Sequence, residues 1–385
     1  MKITFPKVVA GISLIVVLLI LLALYWHFFM PGEVAMLSIS SDGRYVISTD
    51  SKEWAILWDL KTHHKTTLNR KAHIFSAYFI PNTHDFIWQG QDKVLHFQNV
   101  ERGEFRTLQL PFYVLGQAMT SDEKNYVAGD IASGLRLLSH DKWITLRESD
   151  LNDERQSLGN GDELTADKPY NLSFSPAQDK VLSSGYAVQL WNMNTGKLVR
   201  RFPGTVGKTF ATLSPDGKYV VAGDEQPNGF VWETTSDKPI VELDDLFFGT
   251  LNRHNSKNTD KWTWDKTGLI PMPKDFSQSN GFQSDAIMAI KFIDATHYLR
   301  FTTYIPYAIL YEVNNPKPLK YFPLGRYPWP AVDYYIRDQA IDTSWQTHTL
   351  VMGKENGAGI LVYQYDPKKQ TLTKIWNGRS CILFC

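Results

Sequence analysis

VAMLSISSDGRYVISTD, residues 34–50, and TFATLSPDGKYVVAGD, residues 209–224, share one build. Each reads as a strand, a Ser/Pro-Asp-Gly turn and a second strand rich in β-branched residues. Gly43 and Gly217 occupy the turn position that needs positive φ, which glycine adopts without steric cost. A third apolar run follows each, WAILWDL at 54–60 and GFVWETT at 229–235. NLSFSPAQDKVLSSGYAVQLWNMNTGK, residues 171–197, is a further copy that ends in Trp191-Asn192 and a Thr195-Gly196 turn.

Fainter copies occupy 76–100, 116–139, 287–313 and 339–366. Aligning the first turn of every copy selects Asp42, Asn82, Asp122, Ala177, Asp216, Ala295 and Gln346, with spacings of 40, 40, 55, 39, 79 and 51. A unit of about 40 residues with four strands is the size of a propeller blade. The expected fold is all-β, a seven-bladed β-propeller preceded by a transmembrane helix. The spacing of 79 is close to two periods, so 244–285 is also readable as a degenerate eighth blade.

The copies resemble the WD-repeat β-propeller family. The resemblance rests on Trp58-Asp59 closing a third strand, Trp191-Asn192, Trp232-Glu233, and the turn Ser214-Pro215-Asp216-Gly217. Asp50 stands eight residues before Trp58, and Asp224 eight before Trp232, as in the family's polar side-chain network. The Gly-His dipeptide of that network is missing, so only part of the network is implied. The resemblance covers 34–376 and implies structural roles in the blades for Asp50, Trp58, Asp59, Trp191, Asp216, Asp224 and Trp232. Propellers of the bacterial TolB type share the Ser-Pro-Asp-Gly turn.

Three spacings exceed one period, and the excess falls in 147–169, 244–285 and 321–338. Each interval follows a fourth strand and precedes the next first strand. Strands alternate in direction within a blade, so all three insertions should emerge on one face of the disc. The first insertion is polar and acid-rich. The other two carry Phe247, Phe248, Trp262 and Trp264, and then Tyr327, Trp329, Tyr334 and Tyr335. These aromatics are candidate contacts with a partner or a membrane; the alternative is that they pack on the propeller as a cap.

Residues 1–7 precede an apolar segment, 8–30, that contains no Asp, Glu, Lys or Arg. As a helix it would span roughly 34 Å, enough for a hydrocarbon core of ~30 Å. Tyr25, Trp26, Phe28 and Phe29 crowd its far end like an interfacial aromatic belt. A cleaved signal peptide would have a shorter apolar core and small residues at its cleavage site. Lys2 and Lys7 lie before the segment and Glu33 after it, so the N-terminus is expected in the cytoplasm. Residues 31–33 form a linker too short to let the propeller roam, so the insertion face is expected to look at the bilayer. The simplest setting is a bacterial inner membrane with the propeller in the periplasm. The tail, 377–385, holds both cysteines, Cys381 and Cys385, which could pair with each other, pair between chains or stay free.

Charge excludes some functions. With 40 basic and 40 acidic residues the chain lacks the electrostatic footprint of a nucleic-acid binder. There is no phosphate-binding glycine loop, no G-x-S-x-G elbow and no metal-ligand spacing among His63, His64, His73 and His84. His96, His297 and His348 read as structural. No cofactor is expected, and no enzyme. The sequence points to a membrane-anchored scaffold whose partners are other membrane or envelope proteins and, through 8–30, the lipid bilayer. The alternatives are an extracytoplasmic ligand-binding or sensor propeller and, less favoured, an enzyme with a site in the channel.

Overall fold

In a computed structural model of the chain, the described residues are 16–18, 32–74, 76–130, 134–147, 169–205, 207–224, 228–243, 287–302, 307–324, 340–354 and 359–379. They form seven four-stranded antiparallel sheets. In each sheet the strands lie side by side in chain order. Blade 1 runs over 34–69, blade 2 over 78–109, blade 3 over 114–147 and blade 4 over 171–202. Blades 5, 6 and 7 run over 209–242, 287–323 and 341–379.

The seven aligned turn positions, Asp42 through Gln346, all fall between the first and second strands of a blade. Gly43 and Gly217 have φ of 70° and 71°. Elsewhere the same left-handed position is held by Glu123 and Gln178, and in blade 2 the left-handed residue is Asn82, one position earlier. In the strongest turns a hydroxyl and a carboxylate take over backbone pairing. Ser40 Oγ donates to Asp42 Oδ1 at 2.6 Å and accepts from the Tyr45 N–H at 2.9 Å. Ser214 repeats this with Asp216 and Tyr219.

Burial follows strand position. The second strand of blade 1, Tyr45–Asp50, is buried along its whole length, whereas the fourth, His64–Asn69, has no buried residue and is exposed or half-buried throughout. Inner strands pack against neighbouring blades on both faces, so they tolerate continuous apolar runs. The core is accordingly divided into seven clusters, each bridging one pair of neighbouring blades. Blade 5 meets blade 6 directly, with Val221, Val231 and Leu243 against Ile290, Tyr298 and Ile309. This contact overturns the eighth-blade alternative: blades 5 and 6 already share a core, which leaves no place between them for another sheet. Residues 244–285 themselves lie outside the described residues.

The ring closes without strand exchange. The first and last blades are each built from four consecutive strands, and they join through Leu37, Val46 and Trp58 packed on Val351, Ile360 and Val362. Polar ties add to this packing. The Ile39 N–H donates to Asp342 Oδ2 at 3.1 Å, and Ser344 Oγ donates to the Ser41 carbonyl at 2.6 Å. Gly43 sits so close to Thr347 that a Cβ would come within 2.2 Å of its hydroxyl.

Some boundaries differ from those drawn on the sequence. Tyr321, Phe322 and Pro323 belong to the fourth strand of blade 6, paired with Ile309, Ala308 and Tyr307, so the third insertion starts after them. The last strand continues past Trp376 to Arg379. Gly32 and Glu33 are docked on blade 1. Among the described residues no helix is long and apolar enough to cross a membrane. Of the segment 8–30, only Val16–Leu18 are described, and they are helical and exposed.

Candidate functional site

Strand direction gives the disc two faces. The long intervals 148–168, 244–286 and 325–339 all run from a fourth strand to the next first strand, so they leave from the same face. On that face blade 1 receives the chain. The Gly32 N–H donates to Asp50 Oδ2 at 2.9 Å, and the Glu33 N–H donates to Ser51 Oγ at 3.0 Å. Asp50 Oδ1 also accepts from the Lys52 and Trp54 N–H groups, at 2.8 and 3.0 Å. Burial pushes the Asp50 carboxyl above its ordinary value, against the pull of these three N–H donors. The carboxylate thus fixes both its own turn and the chain arriving at blade 1.

The candidate contact residues Phe247, Phe248, Trp262, Trp264, Tyr327, Trp329, Tyr334 and Tyr335 lie outside the described residues, as do Cys381 and Cys385. A cavity of about 390 Å³ on the insertion face is lined by Glu53, His73, Gln91 and Tyr113. The His73 ring stacks on Tyr113 with centroids 4.6 Å apart, and the Tyr113 hydroxyl donates to the Gln91 carbonyl at 2.6 Å. Burial lowers the His73 imidazole from 6.5 to about 4, so at neutral pH it is uncharged.

The blade residues are placed as follows. Trp58 Nε1 donates to Ser48 Oγ at 2.8 Å, and Trp191 Nε1 to Ser183 Oγ at 3.0 Å. Trp232 Nε1 is buried without an acceptor among the described residues. Its register explains this. Trp58 and Trp191 face Val46 and Val181, with a serine two residues on, whereas Trp232 faces Val220, with Ala222 two residues on. Asp59 accepts from Arg44 at 3.2 Å and from the Lys61 and Thr62 N–H groups. Asp224 accepts from the Asn228 backbone and carboxamide. Asp216 caps its turn through Ser214 and the Lys218 N–H.

Three groups escaped the sequence reading. Asp130 accepts from the Gly134 N–H and pairs with Arg136. Its signal was present, because YVAGD at 126–130 repeats the YVVAGD of 219–224. The serine partners of the tryptophans could have been found by register. The channel could not have been. Its mouth opens on the face of the first turns, opposite the insertions, as a cavity of about 410 Å³. All seven first strands or their turns contribute to its wall. The charged groups in that wall are Lys291 and Asp342, whose nearest nitrogen and oxygen are 3.7 Å apart. Trp345 stands exposed on its rim. Among the described residues no group of three or more His, Cys, Asp or Glu is arranged to hold a metal ion.

No family model matches the chain, and no curated protein resembles it in sequence. Its fold is similar to a solved structure, the β-propeller domain of Cps50 (Swd1) from Myceliophteria thermophila, with a TM-score of 0.59 at 11% identity. The match covers 87% of this chain and 98% of that one. The chain therefore has the seven-bladed β-propeller fold, which by itself does not decide what the protein does.

Proposed function

We propose that the chain is a membrane-anchored propeller scaffold of a cell-envelope assembly. Residues 8–30 cross the membrane, and the propeller stands outside the cytoplasm, in a bacterial cell the periplasm. Its insertion face holds other membrane or envelope proteins.

The observation that carries this reading is the bond from Gly32 to Asp50. It pins the chain to the insertion face two residues after the apolar segment ends. A helix ending at residue 30 then leaves no room for the propeller to turn that face away from the bilayer. The aromatic residues of 244–285 and 325–338 belong to intervals that start and finish on the same face. Exposed aromatics next to a bilayer suit both lipid headgroups and protein partners.

Crosslinking in native membranes followed by purification in mild detergent tests the reading. The expected result is an alkali-resistant membrane protein recovered with other envelope proteins, crosslinked through 244–285 or 325–339. Recovery from the soluble fraction would remove the anchor. Recovery from membranes alone and monomeric would remove the scaffold.

A further inference from the structure

One part of the channel rim, on the face away from the insertions, is built from the first turns of blades 7, 1 and 2. Ser41 locks these three turns together. Its carbonyl accepts from Ser344 Oγ at 2.6 Å, and its hydroxyl accepts from the Asn82 N–H at 2.9 Å. A second tie joins blades 1 and 2, where His84 Nε2 lies 3.0 Å from Asp42 Oδ2. Gly43 against Thr347 keeps blades 7 and 1 in close contact. Three turns held this way form a pre-organised edge rather than three independent loops.

That edge presents groups with hydrogen-bonding capacity that the described residues leave unused. Trp345 is 40% exposed, a large fraction for an indole in a tight turn. Beside it the Gln346 amide nitrogen is free, its oxygen meeting only Ser344 Oγ at 3.5 Å. The Asn82 side-chain carboxamide is uncommitted, since only its backbone N–H is bonded. Below the rim the Lys291 ammonium lies 3.7 Å from Asp342, its one ion pair among the described residues. Asp342 is already engaged by the Ile39 N–H.

We infer that this channel mouth is a binding site for a neutral polyhydroxylated ligand, a mono- or disaccharide. The volume, about 410 Å³, falls in the range of small-molecule sites. The chemistry selects among ligand classes. A phosphate or other strong anion would meet one cation whose charge is offset by Asp342. A large apolar ligand would desolvate the rim carboxamides without replacing their hydrogen bonds. A sugar matches what is offered. Each carboxamide both donates and accepts, which suits adjacent hydroxyls, and the Lys291–Asp342 pair supplies one further donor and one further acceptor. The exposed indole gives a flat surface for the C–H face of a pyranose ring. The site is independent of the scaffold reading, because it lies on the opposite face and uses none of the insertion residues.

Titration calorimetry on the full chain in detergent tests this, with glucose, galactose, N-acetylglucosamine and maltose as probes. Inorganic phosphate and trialanine serve as competing classes. The expected result is saturable binding of at least one sugar, weakened about tenfold or more by Trp345→Ala and about threefold or more by Gln346→Ala. Trp143→Ala, which removes an exposed indole from the outer edge of blade 3, leaves the affinity unchanged. Each variant is first matched to the parent by its unfolding midpoint. Absence of saturable sugar binding overturns the proposal. So does tighter binding of phosphate or trialanine than of any sugar, or sugar binding that survives Trp345→Ala. None of these outcomes bears on whether the insertion face holds envelope proteins.

Discussion

Trp58, in the third strand of blade 1, meets Trp376, in the fourth strand of blade 7, edge to face with ring centroids 6.2 Å apart. The His63 ring stacks on the other side of the contact, 4.8 Å from Trp376 and nearly parallel to it. The two tryptophans join the ends of a chain that must close a ring. Among the described residues nothing covalent closes this junction, and no strand is shared across it. Side-chain packing and the ties from Asp342 and Ser344 carry the closure, and Trp376 extends the packing to the outer edge of the disc.

Trp376→Ala is expected to destabilise the propeller by about 2–3 kcal/mol. This is below the cost of truncating a fully buried Trp, because Trp376 is only half-buried. Hydrogen exchange should rise first in blades 1 and 7 and leave blades 3 to 5 protected. A uniform rise across all seven blades would show that closure does not depend on this contact.

The orphaned indole of blade 5 predicts a gain. Ala222→Ser places a hydroxyl at the register position that Ser48 and Ser183 hold beside Trp58 and Trp191. Supplying an acceptor to Trp232 Nε1 should stabilise the chain by about 1 kcal/mol. The reverse change, Ser48→Ala, leaves the Trp58 indole N–H buried and unbonded, at a cost of about 1–3 kcal/mol. Denaturant unfolding of the two variants should move in opposite directions.

The blades were legible because their turns are local. Ser40, Asp42 and Gly43 determine one hairpin within four residues, and the same chemistry recurs at Ser214, Asp216 and Gly217. What failed was inference across long distances. The spacing of 79 looked like room for another blade, and only the packing of Val231 and Leu243 on Ile290 and Ile309 shows that blades 5 and 6 are neighbours. The channel rim is further out of reach, since Ser41 and Ser344 meet across 303 residues. No local pattern distinguishes Trp345 from an ordinary turn residue.

Asp50 gives a prediction that separates two roles of one carboxylate. Oδ1 holds the Lys52 and Trp54 N–H groups, and Oδ2 holds Gly32. Asp50→Asn keeps one oxygen for the turn and turns an NH₂ toward the Gly32 N–H, two donors facing each other. Exchange protection should fall at the Gly32 amide and persist at Lys52 and Trp54. Asp50→Ala removes both acceptors from a buried site and should cost about 3 kcal/mol or more. Equal loss of protection at all three amides in Asp50→Asn would contradict the split.

His73 predicts how stability responds to acid. Its imidazole is lowered from 6.5 to about 4 by burial against Tyr113, with Glu53 in the same cavity wall and Lys93 5.1 Å from the Tyr113 ring. As pH falls from 6.5 to 4 the unfolded chain takes up a proton at this histidine and the folded chain does not. The unfolded state then binds more protons, so stability declines across that window and levels off below it. The opposite sign belongs to His297, which its bond to Asp294 raises above 6.5. Its contribution is complete below 6.5 and fades as pH rises through the raised value. The two therefore act in different ranges. His73→Phe keeps a ring against Tyr113 and removes the titrating group. Between pH 7 and pH 4.5 the parent should lose on the order of 1–2 kcal/mol more than this variant, a figure discounted because the ring is only half-buried. Unfolding free energies of parent and variant at the two pH values measure the difference, and parallel pH dependences would mean that the imidazole titrates alike in the folded and unfolded chains.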